Sequence, residues 1–189
     1  PPRHGQLLNG AQLWVALPDA VRHDAPAFQH VPAVPTAEVH GGIVRPFSGA
    51  LAGVSSPALH HSPIVGADLV VHRGARLAFG VPRTFEHALL LVEGDAVVEQ
   101  TSLQPRVLYY LGPGRTELQV SSRDGARLLL IGGQPFDESI LMWWNFVART
   151  PEEIAAARAD WVNGARFGAV GGYDGPPIDA PPLQRLVRP

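Results

Sequence analysis

The sequence predicts an all-β fold, an antiparallel jelly-roll barrel followed by one α-helix and a coil tail. Three observations lead there. From residue 38 to residue 131 short apolar runs recur, separated by the turn signals Arg73-Gly74, Glu93-Gly94, Gly112-Pro113-Gly114 and Arg123-Asp124-Gly125. Helical periodicity occurs once, after residue 150. Hydrophobic residues make up 46% of the 189 positions and charged ones 17%, enough apolar side chain for a packed core. Many short strands at this spacing build a sandwich or barrel, and no strand–helix alternation is present to build a parallel sheet.

In chain order, residues 12–17 read as one strand ended by Pro18. A lone strand does not stand in water, so this one is expected to belong to a sheet whose other strands lie elsewhere. Residues 19–35 carry Pro26, Pro32 and Pro35 and no period. Strands are then expected over 39–44, 67–72, 75–79, 87–92, 95–100, 107–111, 117–120 and 127–131. Glu93-Gly94-Asp95, set between apolar runs, is the tightest hairpin signal. Tyr109 and Tyr110 place one ring inside and one outside.

Residues 140–147 read as a further strand. Ile140, Met142, Trp144 and Phe146 would share one face, and Leu141, Trp143, Asn145 and Val147 the other. Both faces are apolar except at Asn145, so the strand is expected to be covered on both sides, by the rest of the chain or by another barrel or subunit. Thr150 and Glu153 have capping-box spacing, Pro151 suits the first helical position and Glu152 adds negative charge to the first turn. Ile154, Ala157, Trp161 and Val162 then fall on one helical face, and Asn163-Gly164 is a stop. Beyond it, four glycines between 168 and 175 and five prolines between 176 and 189 leave only coil. A three-part organisation follows: 1–37, 38–148 and 149–189.

Composition removes several function classes. Net charge is −2 and no basic run exceeds a pair, so nucleic acid meets no electrostatic footprint. No apolar run approaches a membrane span and the first residues lack the order of a signal peptide, so a cytoplasmic setting without membrane partners is expected. With no Cys, thiol nucleophiles, disulfides and thiolate metal sites are excluded. All 15 basic residues are Arg, which excludes a Schiff-base lysine and a P-loop.

LLLIGGQPFDESILMWWNFV at 128–147, followed by the capped helix, resembles the ending of pirin-family proteins. GAQLWVALP at 10–18 is similar to the strand that family carries between two cupin barrels, and EHALLLVEGDAVVEQ at 86–100 sits where a cupin has its first hairpin. The resemblance implies a bicupin whose first barrel holds one iron through three His and one Glu. Some members resemble quercetin dioxygenases and others are cofactors of transcription regulators. It further implies that this chain is the inter-barrel strand, the C-terminal cupin-type barrel and the tail, without the metal-bearing barrel.

A cupin iron site needs imidazoles and a carboxylate converging on one ion, and a His-x-His pair on a strand supplies two of them on one face. The histidines are His4, His23, His30, His40, His60, His61, His72 and His87, and no two are separated by a single residue. By the resemblance, the family's His positions fall at Phe79 and Val81, and Glu86 lies near the family's carboxylate. Glu86 and His87 alternate faces and are expected to be a solvent-facing or hydrogen-bonded pair at a strand start. Asp137-Glu138 is expected to be a solvated loop pair.

No catalytic, cofactor or metal residue is therefore expected in this chain, the iron belonging to the first barrel. The expected function is that of a structural, metal-free half of an iron-dependent quercetin 2,3-dioxygenase-type oxygenase. The alternative is a non-enzymatic interaction module like the transcription-cofactor pirins. Trp14, Trp143 and Trp144 are the candidate interface residues, facing the chain's own N-terminal barrel, a second copy of the chain or another protein.

Overall fold

The computed structural model of the protein describes residues 10–164, 166–168 and 171–183. His4 and the last six positions lie outside them. The chain divides into two compact units, Leu17–Phe136 and a second formed from Pro1–Ala16 with Asp137–Pro189.

The first unit is a two-sheet antiparallel barrel. Its strands are β1 (Ala37–Val39), β2 (Gly42–Ser48), β3 (Ala50–Leu51), β4 (Val54–Ser55), β5 (Ile64–Val71), β6 (Arg76–Gly80) and β7 (Glu86–Gly94). They are followed by β8 (Val97–Val98), β9 (Thr101–Ser102), β10 (Leu108–Gly112), β11 (Glu117–Ser121) and β12 (Ala126–Gly133). One sheet runs β1-β2-β5-β12-β7-β10 and the other β6-β11-β8-β9, with β3 and β4 a separate short hairpin. Between the sheets lies a core of Val44, Leu69, Leu77, Leu89, Leu118, Val120, Leu128 and Leu130, all at 1% exposure or less. Alternation makes this core: Leu77 and Phe79 point in from β6 while Arg76 and Ala78 point out.

Two expected strands prove to be other things. The run 39–44 is a hairpin, because His40 and Gly41 turn the chain between β1 and β2, with Gly41 at φ +88°. Glu93-Gly94-Asp95 is not a hairpin. β7 pairs with β12 and β10, whereas β8 pairs with β11 in the opposite sheet. The chain therefore changes sheets here. Gly94 makes this possible at φ +82°, since a Cβ there would lie 1.9 Å from the Gly125 carbonyl oxygen. The segment 95–100 yields only β8 before Glu99 and Gln100 turn at positive φ into β9.

The second unit contains β13 (Leu141–Trp143), β14 (Phe146–Ala148) and α1 (Pro151–Val162). The expected single strand 140–147 is instead a hairpin turning at Trp144-Asn145, with Trp143 opposite Phe146. Trp144 sits at φ +50°, the sign that the first central residue of a type II′ turn requires. Its ring packs edge-on against Phe146 at 5.3 Å and Trp161 at 5.5 Å, contacts that offset the strain of a non-glycine in this region. This chain covers only one face of the hairpin: Met142 and Val147, paired across it, are both exposed.

The helix forms as its caps dictate. Thr150 accepts from the Glu153 N–H at 3.2 Å and Glu153 reaches back to the Arg149 N–H at 2.7 Å. Ile154 and Ala157 are buried and Trp161 packs against them, but Val162 is exposed, one position round from that face. The described tail is coil bound to this helix. Trp161 Nε1–H donates to the Ile178 carbonyl at 2.8 Å, and Arg158 donates to the carbonyls of Pro181 and Ala180.

Residues 12–17, expected as a strand, are coil, with Leu13, Trp14, Val15 and Leu17 each exposed. An extended segment becomes a strand only when a neighbour takes its backbone hydrogen bonds, and no described strand pairs with it. No helix among the described residues is long and apolar enough to cross a membrane.

Candidate functional site

The polar group that stands out in the barrel is His87. It opens β7 on the same face as Leu89 and Leu91, so the period of two that fills the core also carries the imidazole inward. Its exposure is 1%, and neither Nδ1 nor Nε2 has a hydrogen-bond partner among the described residues. Across the sheet it stands opposite Gly132 of β12 and Gly112 of β10. A Cβ at Gly132 would lie 2.8 Å from His87 Cδ2 and 3.3 Å from Val65 Cγ1. The absence of a side chain at 132 is what leaves room for the ring. The Phe85 ring is 6.3 Å away, tilted. Burial, and after it the positive charge of Arg115, hold the imidazole below its ordinary proton affinity.

The expectation of a solvent-facing or hydrogen-bonded Glu86–His87 pair is thus corrected for the histidine. Glu86 does behave so: its carboxylate accepts from the Tyr110 hydroxyl at 2.8 Å, which raises the phenol's pKa. Tyr110 is exposed, while Tyr109 packs on the core, the division expected for neighbours on a strand.

Arg115 secures this end of the barrel. Its Nε and Nη2 reach Glu99 at 2.5 and 2.8 Å, and Nη1 donates to the carbonyls of Leu111 and Gly112. The exposed edge of β10 is thereby blocked where it would otherwise offer free acceptors. The fork pairing lowers the pKa of Glu99.

The wall that faces His87's sheet carries apolar groups at the places where the cupin resemblance locates ligands. Phe79 is 5% exposed and Val81 7%, both part of the core. Neither can donate an electron pair to a metal, so the residues present do not fit a three-histidine, one-carboxylate iron site. Among the described residues no three His, Asp or Glu side chains converge on a point able to hold a metal ion. His23, His30, His40, His60, His61 and His72 are all exposed.

Asp137 is exposed as expected, but Glu138 forms an ion pair with Arg149 at 2.7 Å. On the outer face of the six-stranded sheet Asp68 accepts from Arg45 at 3.0 Å and from Arg127 at 2.7 Å, a cross-strand triad. Within the second unit Trp143 and Trp144 pack in the aromatic cluster with Phe146 and Trp161, while Trp14 is exposed. A hollow of about 450 Å³ beside that cluster is lined by Trp161, Phe167, Tyr173, Pro176, Pro177 and Ile178 among others.

The comparisons with known proteins agree with this architecture. Residues 66–168 match the family model described as the pirin C-terminal cupin domain. A Pseudomonas aeruginosa protein described as a candidate quercetin 2,3-dioxygenase is 43% identical over 176 residues, covering 93% of this chain and 56% of its own length. Human pirin is 28% identical over 163 residues, covering 82% of this chain and 56% of its own. The crystal structure of a quercetin 2,3-dioxygenase from Acinetobacter baumannii superposes with a TM-score of 0.87 at 36% identity, over 93% of this chain and 59% of that one. The chain thus spans somewhat more than half the length of the relatives it matches. It belongs to the pirin family, whose C-terminal cupin domain it carries.

Proposed function

We propose that this chain is the structural, metal-free cupin half of a pirin-type oxygenase that acts on quercetin-like flavonols, its iron held by residues of a separate barrel. The observation that carries this reading is the inner wall at Phe79 and Val81. A barrel adapted for iron needs lone pairs there, and this one has closed the space with two core side chains. His87 alone offers a single imidazole, on a strand where its neighbour Glu86 faces the other way. The relatives named as quercetin dioxygenases support the class of reaction, and their greater length leaves room for a separate metal site.

The role left to this chain is support. Exposed apolar side chains at Leu13, Trp14, Val15 and Leu17 favour a docking role for the segment 12–17, with a first barrel or a second copy of the chain as the partner. Loading the purified chain with Fe(II) under anaerobic conditions, followed by elemental analysis, tests the metal-free assignment. The expected result is iron well below one per chain and no oxygen uptake with quercetin. Stoichiometric, chelator-sensitive iron would overturn it. Light scattering tests the docking role, and a monomer at all concentrations would count against a second copy as the partner.

A further inference from the structure

His87 is a buried group that the support role does not use. An imidazole whose two nitrogens both lack partners among the described residues is retained in a core only while neutral, because an unpaired charge there is far costlier than an unpaired dipole. Its surroundings give a proton nothing to bind against. β5 presents Val65, β12 presents Gly132 and the loop before β7 presents Phe85, while Gly112 of β10 is the backbone register partner of His87. The charged group acting on it is Arg115, of the same sign as an imidazolium and already tied to Glu99. Glu86, next in the chain, has its carboxylate on the opposite face with Tyr110.

We propose that His87 is a pH-sensitive latch on this end of the barrel, which holds the edge strand β10 closed when neutral and releases it when protonated. The route of release follows from the topology. β7 lies between β12, paired over its whole length, and β10, which is the sheet edge and pairs only with β7. Expelling a charged ring from the β7 wall therefore breaks the β7–β10 side first. With β10 go the two carbonyls that Arg115 holds, at Leu111 and Gly112. Opening bares the inner faces of Leu89 and Tyr109, so acid converts a sealed barrel end into an apolar mouth. The direction of the linkage is fixed by the lowered proton affinity in the folded state. The folded barrel is at full stability above 6.5, the value of a free imidazole, and loses it as the pH falls below that, when the opened form takes the proton.

The test is amide hydrogen exchange on the whole chain at about pH 7.5 and about pH 5.5, spanning the histidine range, corrected for intrinsic exchange. Amides of Leu108–Gly112 are expected to lose protection by up to about tenfold per pH unit below 6.5, the limit for one linked proton. In His87→Leu the same amides should show no such dependence. Protection of β10 that is flat with pH in the wild type, or an equal loss in His87→Leu, overturns the proposal. Because His87→Leu could fail to fold, the ring of His87 is also followed by NMR in the unmodified chain. Titration below 6.5 together with the β10 amides supports the latch, and titration without any change in β10 refutes it.

Discussion

Gly132→Ala probes the close packing that places His87 in the wall. The added methyl group would lie 2.6 Å from the Glu86 carbonyl oxygen, 2.8 Å from His87 Cδ2 and 3.3 Å from Val65 Cγ1. The histidine ring can give a little, but Glu86 is fixed by its pairing with Gly133 in the β7–β12 ladder. Overpacking of this kind costs about 1–3 kcal/mol, and the alanine returns about 0.4–1 kcal/mol by restricting the unfolded chain. The net loss is about 1–2 kcal/mol, a fall in melting temperature of roughly 4–10 °C for a unit of this size. Gly80→Ala is the matched control. Gly80 is an exposed residue of β6 with only the Thr116 carbonyl oxygen within reach, at 3.7 Å, and it does not lie at positive φ. It should keep or raise the melting temperature. Far-ultraviolet circular dichroism reads both melts. A Gly132→Ala chain as stable as the wild type, or a Gly80→Ala chain that falls equally, would refute the packing argument.

Leu130→Ala, at a wholly buried position of β12, should lower stability by about 2–5 kcal/mol, read from the urea midpoint. Thr150→Ala removes the acceptor of the Glu153 N–H and should cost about 1 kcal/mol, with faster amide exchange at Glu153 and Ile154. Asp95 accepts from the backbone N–H groups of Arg123 and Asp124, and these bonds hold its carboxyl below the ordinary 3.8. Its contribution is therefore present above 3.8 and lost as the pH falls through the lower folded value, so Asp124 amide protection should drop in acid. In Asp95→Asn the neutral side chain should remove that dependence, and an unchanged acid transition would count against the assignment.

The helix was legible in the sequence because capping is local chemistry: Thr150, Pro151 and Glu153 meet their partners within four residues. The barrel strands were legible from period-two runs and glycine turns, and the core lay on the faces that alternation implies. What escaped depended on partners distant in sequence. Nothing near Gly94 says that the chain crosses to another sheet, since the carbonyl it must approach belongs to Gly125. The Trp144 turn escaped because a tryptophan at positive φ carries no turn signal, and only the ring cluster around Trp161 makes it tolerable. For His87 a signal did exist. His87, Leu89 and Leu91 share one parity, and reading the histidine with the leucines instead of with Glu86 would have placed it inside.

All four tryptophans, at 14, 143, 144 and 161, fall in the unit that excludes residues 17–136. The jelly roll contains none, and its fluorescence comes from Tyr109 and Tyr110. Indole emission is therefore an intrinsic reporter carried by that unit, from Trp14, the aromatic hairpin and its helix, and not by the barrel strands. Excited selectively, it would register whether a binding partner settles on that unit, with no label attached and no side chain replaced.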